Sequence, residues 1–227
     1  MIRSLYSGAR LSALRITMTG PGLRADLQDA LLRLARAYGD RGWTPATSGN
    51  YSVREADGRI LITRSGVDKR MLDRAGMMRI DADGTPESAD DRPSAETGLH
   101  LQIYRQFPDA RCVLHVHTVA STVLSRHGAA AGAVELAGFE VAKAFPGVAG
   151  HEGTLRIPVV PNDQDIERLA ASVAPWLAVE EPLPVYLIEG HGLYAWGRSV
   201  AEASRHLEAA EFLLQCHLEE TRLRRSE

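Results

Sequence analysis

Lysine, cysteine and long apolar stretches are all scarce in this chain of 227 residues, and each shortage argues against a class of protein. Only Lys69 and Lys143 are lysines among 26 basic residues, and the formal net charge is -3, whereas general nucleic-acid binders carry a strong basic excess. The two cysteines, Cys112 and Cys216, form no C-x-x-C motif, which favours a reduced cytoplasmic protein. No run of about 18 apolar residues occurs, so no membrane span is predicted.

The amino terminus lacks the features of a secretory signal, because its arginines are not followed by an apolar run and a small-residue cleavage site. We expect residues 1–22 to form an extension, with Met18 as an alternative start, and residues 23–227 to form one domain. A chain of this length buries roughly 70% of the surface that its unfolded form exposes, so it needs no disulfide or metal to fold. Any bound metal is therefore expected to serve chemistry.

Hydrophobic periodicity predicts that helices and strands alternate along the chain. Helices are expected over residues 24–38, 94–107, 118–125, 138–144, 165–177 and 200–222. Strands are expected over residues 51–54, 59–63, 77–81, 112–117, 156–160 and 185–189. Short hairpins early in the chain, with helices before and after them, indicate an α/β fold in which helices cover a sheet.

Three histidines form the sharpest chemical pattern. His115 and His117 end a predicted strand, and residues at i and i+2 of a strand project from the same face, so the two imidazoles could share one cation. His191 follows another predicted strand and lies between two glycines, which allow close backbone approach. Three histidine ligands leave one position open, as in catalytic zinc sites. The alternative is that these histidines bond only to backbone or water, with His191 capping a turn.

Two carboxylates are candidates for acid–base chemistry, and three loops are candidates for binding an anion. Glu96 and Glu140 each lie near a predicted helix start, where they could act in acid–base chemistry or simply favour the helix dipole. Loops rich in serine and glycine can hold an anion through backbone N–H groups and hydroxyls. Three such loops occur, at residues 47–50, 64–66 and 93–95, and Lys69 would add positive charge nearby. Taken singly, each loop also fits an ordinary turn.

In order along the chain, the motifs T-S-G-N-x-S, I-T-R-S-G-V, P-S-A-E, H-V-H and G-H-G resemble the class II aldolase/adducin family over about residues 23–218. Glu96 precedes His115 by 19 residues, the separation expected between that family's glutamate and its first histidine ligand. The resemblance implies an α/β/α sandwich with a mainly antiparallel central sheet. It also implies a homo-oligomer, a tetramer, with active sites at subunit interfaces.

The resemblance assigns a role to each candidate residue. The ligands of one Zn²⁺ per subunit would be His115, His117 and His191. The phosphate of a small sugar phosphate would be bound by Gly49, Asn50, Ser65, Gly66 and Ser94, with help from Lys69. Ala95 stands where aldolases often have a second serine. Glu140 matches the acid–base group of the family's dehydratases and Glu96 that of its aldolases, although some dehydratases carry cysteine at the latter position.

Three stretches, at residues 65–69, 138–145 and 190–197, are similar to the family's dehydratases. They imply a zinc-dependent hydro-lyase that removes water from 5-methylthioribulose 1-phosphate. The alternatives are an aldolase of the fuculose or rhamnulose phosphate type and a pentulose-phosphate epimerase. A non-catalytic, adducin-like interaction domain is disfavoured, because all three histidine positions are filled.

Overall fold

The computed structural model describes residues 21–224, with side chains from residue 26 onward. Most of the predicted extension, residues 1–22, lies outside this range, as does Met18, and the division of the chain at residue 23 stays a prediction. In the described range, no helix is both long and apolar enough to cross a bilayer. The α-helices are α1 (Pro21–Asp40), α2 (Thr97–Gln106), α3 (Val119–Gly128), α4 (Ile166–Leu177) and α5 (Val200–Arg224).

The strands are β1 (Asn50–Arg54), β2 (Ile60–Thr63), β3 (Met77–Ile80), β4 (Cys112–Val116), β5 (Ala133–Ala137), β6 (Thr154–Val160), β7 (Val185–Ile188) and β8 (Gly192–Gly197). They form one sheet of eight members in the order β3-β2-β1-β4-β8-β7-β6-β5. Strands β6 and β7 pair in parallel, and the other neighbouring pairs are antiparallel. The prediction of a mainly antiparallel sheet is confirmed.

Helices cover both faces of the sheet, so the predicted α/β/α sandwich is also confirmed. On one face, α1, α3 and α5 contribute Leu31, Leu124 and Leu207 to an apolar core. On the other face, α2 and α4 contribute Leu99 and Leu169 to a second core. Burial of apolar side chains in these two layers is the dominant favourable term that holds the helices to the sheet.

Strand β4 shows how this arrangement places a polar side chain in the interior. Leu114 and Val116 face the first core, whereas Val113 faces the second. Because side chains alternate along a strand, His115 shares the face of Val113. All five residues of the strand are buried, as expected for a strand covered on both faces. The side chain of His115 is therefore held rigidly at one end of the sheet.

Five of the predicted helices and all six predicted strands are confirmed, with ends that differ by a few residues. The predicted helix over residues 138–144 is instead a short 3₁₀ helix, Glu140–Ala144. Strands β5 and β8 were not predicted, because alanine and glycine are depleted in strands. Pairing with neighbouring strands overrides this local preference. At Gly192 the close approach of β4 requires glycine, because a Cβ there would lie 2.2 Å from the carbonyl oxygen of Val116.

Candidate metal centre and active site

One end of the sheet collects the three histidines. Strand β4 runs toward this end and continues into His117, and β8 leaves it just after His191. Strand β1 also starts there, with Asn50 paired to His115 across the sheet. We call this the histidine end of the sheet. Residues distant along the chain thus meet because three strands begin or finish at the same edge.

The three imidazoles and the Glu96 carboxylate converge at one point. Each of the four side chains offers a ligand atom, and these atoms all lie within 4.8 Å of one another. Nε2 of His115 lies 2.8 Å from Nε2 of His117. Glu96 approaches His191 Nε2 at 2.9 Å through Oε1 and His115 Nε2 at 3.3 Å through Oε2. Glu96 was expected either as an acid–base group or as a helix-start residue, and its place among the histidines adds a carboxylate to the cluster.

The donor set suits a divalent cation. His115 Nδ1 lies 3.1 Å from the carbonyl oxygen of Leu193, so Nδ1 donates its proton there and the lone pair of Nε2 faces the cluster. Burial lowers the pKa of His115 well below its ordinary value and lowers the pKa of His117 to about 4, which keeps both rings in the neutral, ligating form. Nδ1 of His191 is buried without a partner among the described residues. Three imidazoles and a carboxylate fit zinc and other first-row divalent ions.

Glu96 is held as a carboxylate. Burial by itself would raise the pKa of Glu96. Attraction to the rings of His115 and His191 and a hydrogen bond from Asn50 outweigh burial, so the pKa lies well below its usual range. The Asn50 amide donates to Oε2 of Glu96 at 2.6 Å, and the Tyr194 hydroxyl donates to the same oxygen at 3.1 Å. A negative charge is thereby fixed beside the three imidazoles.

A cavity of about 250 Å³ adjoins the cluster. Its lining includes every residue that the sequence assigned to phosphate binding: Gly49, Asn50, Ser65, Gly66, Lys69 and Ser94. Glu96 and His117 also line this cavity, so the loops and the histidine cluster share one space. The structure thus joins three separate loops, each ordinary when taken alone, into one concave surface with hydroxyl and N–H donors suited to an anion.

The first of these loops has a strained backbone held by Lys69. Ala46 and Thr47 both have positive φ, 50° and 65°, a conformation that costs roughly 1–2 kcal/mol for a residue with a side chain. Lys69 is buried and donates from Nζ to the carbonyl oxygens of Thr47 at 2.8 Å and Val67 at 3.0 Å. Burial lowers the pKa of Lys69 to about 8. Such strain persists only where surrounding contacts impose it, and it is common at ligand sites.

Glu140 is not brought to the histidine cluster within one chain. Strand β5 runs opposite to β4, so it finishes at the far end of the sheet, where Ala137 pairs with Thr154 at the start of β6. Strand β6 has seven residues, roughly 20 Å at ~3.3 Å per residue, and Glu140 follows β5 at this far end. The Glu140 side chain is 63% exposed and pairs with Lys143 and His151.

Two residues at the site were missed by the sequence reasoning. Tyr194, on β8, donates to Glu96 and stacks on the His115 ring, with centroids 4.0 Å apart. His100, on α2, is fully buried and contacts Asn50. A signal for His100 was present: Glu96, His100 and Tyr104 recur at intervals of four, which places them on one face of a helix.

Comparison with known proteins agrees with this architecture. The family described as "Class II Aldolase and Adducin N-terminal domain" matches residues 29–218. The chain therefore belongs to the class II aldolase/adducin family. Among solved structures, it is similar to L-fuculose-1-phosphate aldolase from Thermus thermophilus, with a TM-score of 0.73 and 25% identity over 90% of this chain and 98% of that one. It is also similar to YgbL from Escherichia coli, with a TM-score of 0.71 and 26% identity over 86% and 89% of the two chains.

Three relatives with higher identity are named methylthioribulose-1-phosphate dehydratase. The relative from Xanthomonas campestris pv. campestris (strain 8004) is 49% identical over 199 residues, which cover 88% of this chain and 91% of the relative. The relative from Marinobacter nauticus is 47% identical over 201 residues, covering 88% and 97%. The relative from Sorangium cellulosum is 48% identical over 191 residues, covering 83% and 89%.

Proposed function

We propose that this chain is a lyase that converts 5-methylthioribulose 1-phosphate to 2,3-diketo-5-methylthiopentyl 1-phosphate and water, a step of methionine salvage. The observation that carries the proposal is the contact between the histidine–glutamate cluster and the cavity lined by the three anion loops. That arrangement suits a phosphorylated sugar whose ketone reaches a metal. Among the reactions known for this fold, the names of relatives at 47–49% identity favour dehydration.

We propose that His115, His117 and His191 hold one Zn²⁺ per subunit. When bound, this ion would supply a Lewis acid that polarises the substrate ketone and makes the neighbouring C–H bond more acidic. The neutral state of the His115 and His117 rings supports this assignment, because metal ligands must be free of protons.

The loops would bind the phosphate and set the register of the sugar. Backbone N–H groups and the hydroxyls of Ser65 and Ser94 line the cavity and can donate to phosphate oxygens. Lys69 would add positive charge, and its two hydrogen bonds to carbonyls leave a third donor on Nζ. Anchoring the phosphate end fixes C2 and C3 of the ketose relative to the metal ligands.

Dehydration requires one proton to leave C3 and one to reach the C4 hydroxyl, which departs as water. The enol that remains becomes the diketone by tautomerisation. Glu96 is the carboxylate beside the metal ligands in the same chain. Glu140 lies at the far end of the sheet, so it could take part only in the site of a neighbouring subunit. We propose a cytoplasmic homotetramer in which Glu140 is supplied in this way as acid–base group, with Glu96 as the alternative.

The decisive experiment incubates the purified chain with methylthioribulose 1-phosphate and follows the absorbance of the diketone, with zinc present, after chelation, and after zinc is restored. We expect turnover that chelation removes and zinc restores. No diketone from the zinc-loaded chain, together with release of dihydroxyacetone phosphate from fuculose 1-phosphate, would replace dehydration with the aldolase function. The aldolase alternative is favoured by the position of Glu96 beside the histidines.

A further inference from the structure

A continuous chain of buried hydrogen bonds runs from Glu96 into the protein interior. The Asn50 amide nitrogen lies 2.6 Å from Glu96 Oε2, and Asn50 Oδ1 contacts Nε2 of His100. Nδ1 of His100 lies 2.7 Å from the Ser52 hydroxyl, which lies 2.8 Å from the hydroxyl of Tyr104. Asn50, Ser52, His100 and Tyr104 are each at most 5% exposed. We call Asn50, His100, Ser52 and Tyr104 the Glu96 relay.

The relay joins one face of a strand to one face of a helix. Asn50 and Ser52 are two residues apart on β1 and share a face of the sheet. His100 and Tyr104 are four residues apart on α2, and Glu96 occupies the position immediately before that helix. Asn50, Ser52 and His100 are buried polar residues, and Tyr104 also packs in the second apolar core. A fully satisfied polar network of this kind rigidifies its surroundings.

The carboxylate of Glu96 determines the direction of every bond in the relay. An ionised carboxylate only accepts, so Asn50 turns its NH₂ group toward Glu96 and its oxygen toward His100. His100 must then donate from Nε2. Burial lowers the pKa of His100 to about 4, so the ring is neutral and its Nδ1 accepts from Ser52. The Ser52 oxygen in turn accepts from the Tyr104 hydroxyl, and all donors point toward the carboxylate.

We infer that the Glu96 relay positions the Glu96 carboxylate at the metal centre by fixing the orientation of the Asn50 amide. His100, Ser52 and Tyr104 are positioning residues, since they act on the centre through Asn50. With the relay broken, His100 no longer fixes the plane of the Asn50 amide, so the Asn50 NH₂ group no longer holds the Glu96 carboxylate in a single orientation. The inference rests on the proposed metal site but not on the identity of the substrate.

The measurement is the affinity of the metal-free chain for Zn²⁺, obtained by competition with a chromophoric chelator. Loss of a group that orients a ligand typically weakens metal binding by 10–100-fold. We expect Ser52→Ala to weaken Zn²⁺ binding by about 10-fold, because it cuts the relay at its middle. Tyr104→Phe removes only the last hydroxyl and should give a smaller loss in the same direction, about 3-fold.

Tyr186→Phe is the matched control. Tyr186 is as deeply buried as Tyr104, but its hydroxyl has no partner among the described residues. The same chemical change should therefore leave Zn²⁺ affinity within about twofold of the parent chain. If Ser52→Ala fails to fold, the Zn²⁺ affinities of Tyr104→Phe and Tyr186→Phe are compared instead, and a loss confined to Tyr104→Phe supports the relay.

Measuring the effect of Ser52→Ala in a Glu96→Gln chain distinguishes a role in positioning Glu96 from a general destabilisation of the site. Combined with Glu96→Gln, Ser52→Ala should have no further effect on Zn²⁺ affinity, because the group on which the relay acts is no longer charged. An equal loss in both backgrounds, or unchanged affinity in Ser52→Ala and Tyr104→Phe, overturns the inference. Failure of the parent chain to bind Zn²⁺ overturns both the inference and the proposed metal site. A parent that binds Zn²⁺ but does not dehydrate the substrate overturns only the proposed function.

Discussion

The two ends of the sheet carry similar chemical groups in opposite environments. At the histidine end, Glu96 is 17% exposed and is held by His115, His191, Asn50 and Tyr194. At the far end, Glu140 is 63% exposed and meets only Lys143 and His151 among the described residues, both about half exposed. Burial strengthens electrostatic interactions and fixes geometry, whereas exposed ion pairs contribute little. Within one chain, the histidine end therefore brings four possible metal ligands together, whereas the carboxylate at the far end stays at the surface.

The largest effect is expected from the histidine end. His115→Ala removes a buried ligand, so Zn²⁺ affinity should fall by more than about 100-fold and turnover should be lost, since even changes behind a ligand cost 10–100-fold. Metal content after dialysis and the rate of diketone formation measure this. The matched control is His151→Ala at the far end, which should keep its zinc. Equal metal loss in both variants would contradict the assignment of the metal site to the histidine end.

Glu140→Gln tests the role of the far end in catalysis. General acid–base help is typically worth 10²–10⁴-fold, so the variant should keep its zinc and lose at least about 100-fold in kcat. Steady-state kinetics with metal analysis on the same sample check this. A near-normal rate would move the proton transfers to Glu96, and the far end would then have no catalytic part.

Oligomers that mix two variants test whether Glu140 serves the histidine cluster of another subunit. If Glu140 of one subunit serves the centre of another, coexpression of His115→Ala and Glu140→Gln subunits should recover activity that neither variant has alone. Random assembly gives about a quarter of wild-type activity per site, because half of the subunits offer an intact centre and half an intact Glu140. Oligomers purified through a tag on each subunit provide the sample. Absence of any recovery would place every catalytic group within a single chain.

The smallest effect concerns the buried lysine near the histidine end. The pKa of Lys69 is lowered to about 8 in the folded chain by burial, against 10.5 as its ordinary value. Between these two values the unfolded chain binds a proton that the folded chain does not, so stability should rise with pH from about 8 to 10, by up to about 1 kcal/mol per pH unit. Denaturant unfolding of the wild type and Lys69→Met, from pH 7 to 10, isolates this contribution. A constant difference between the two chains across that range contradicts the lowered pKa.

Much of the site could be predicted from local patterns. The i, i+2 spacing of His115 and His117 determines that both rings leave the same face of any strand, whatever the strand packs against. Apolar periodicity likewise predicts α1, α4 and α5, since the period of a helix follows from its backbone geometry. The order of the motifs then indicates the family, which the comparison with known proteins confirms over residues 29–218.

The placement of the carboxylates could not be predicted in this way. Glu96 and Glu140 both lie near helix starts, and sequence alone gave them equivalent positions. Their separation follows from the directions of β4 and β5, which depend on hydrogen bonds between strands far apart along the chain. The spacing of Glu96 and His100 places both on one helix face, but their link through Asn50 depends on how β1 packs against α2, and no local pattern predicts that packing.

By itself, the sequence determined the periodic elements, the pairing of His115 with His117 and the membership of the family, because these depend on residues close together or on ordered motifs. The tertiary structure decided that β5 and β8 are strands, that Glu96 joins the histidines, and that Glu140 lies at the opposite end. The physical reason is that strand direction and register are set by long-range pairing and by burial on both faces, and these determine which side chains meet.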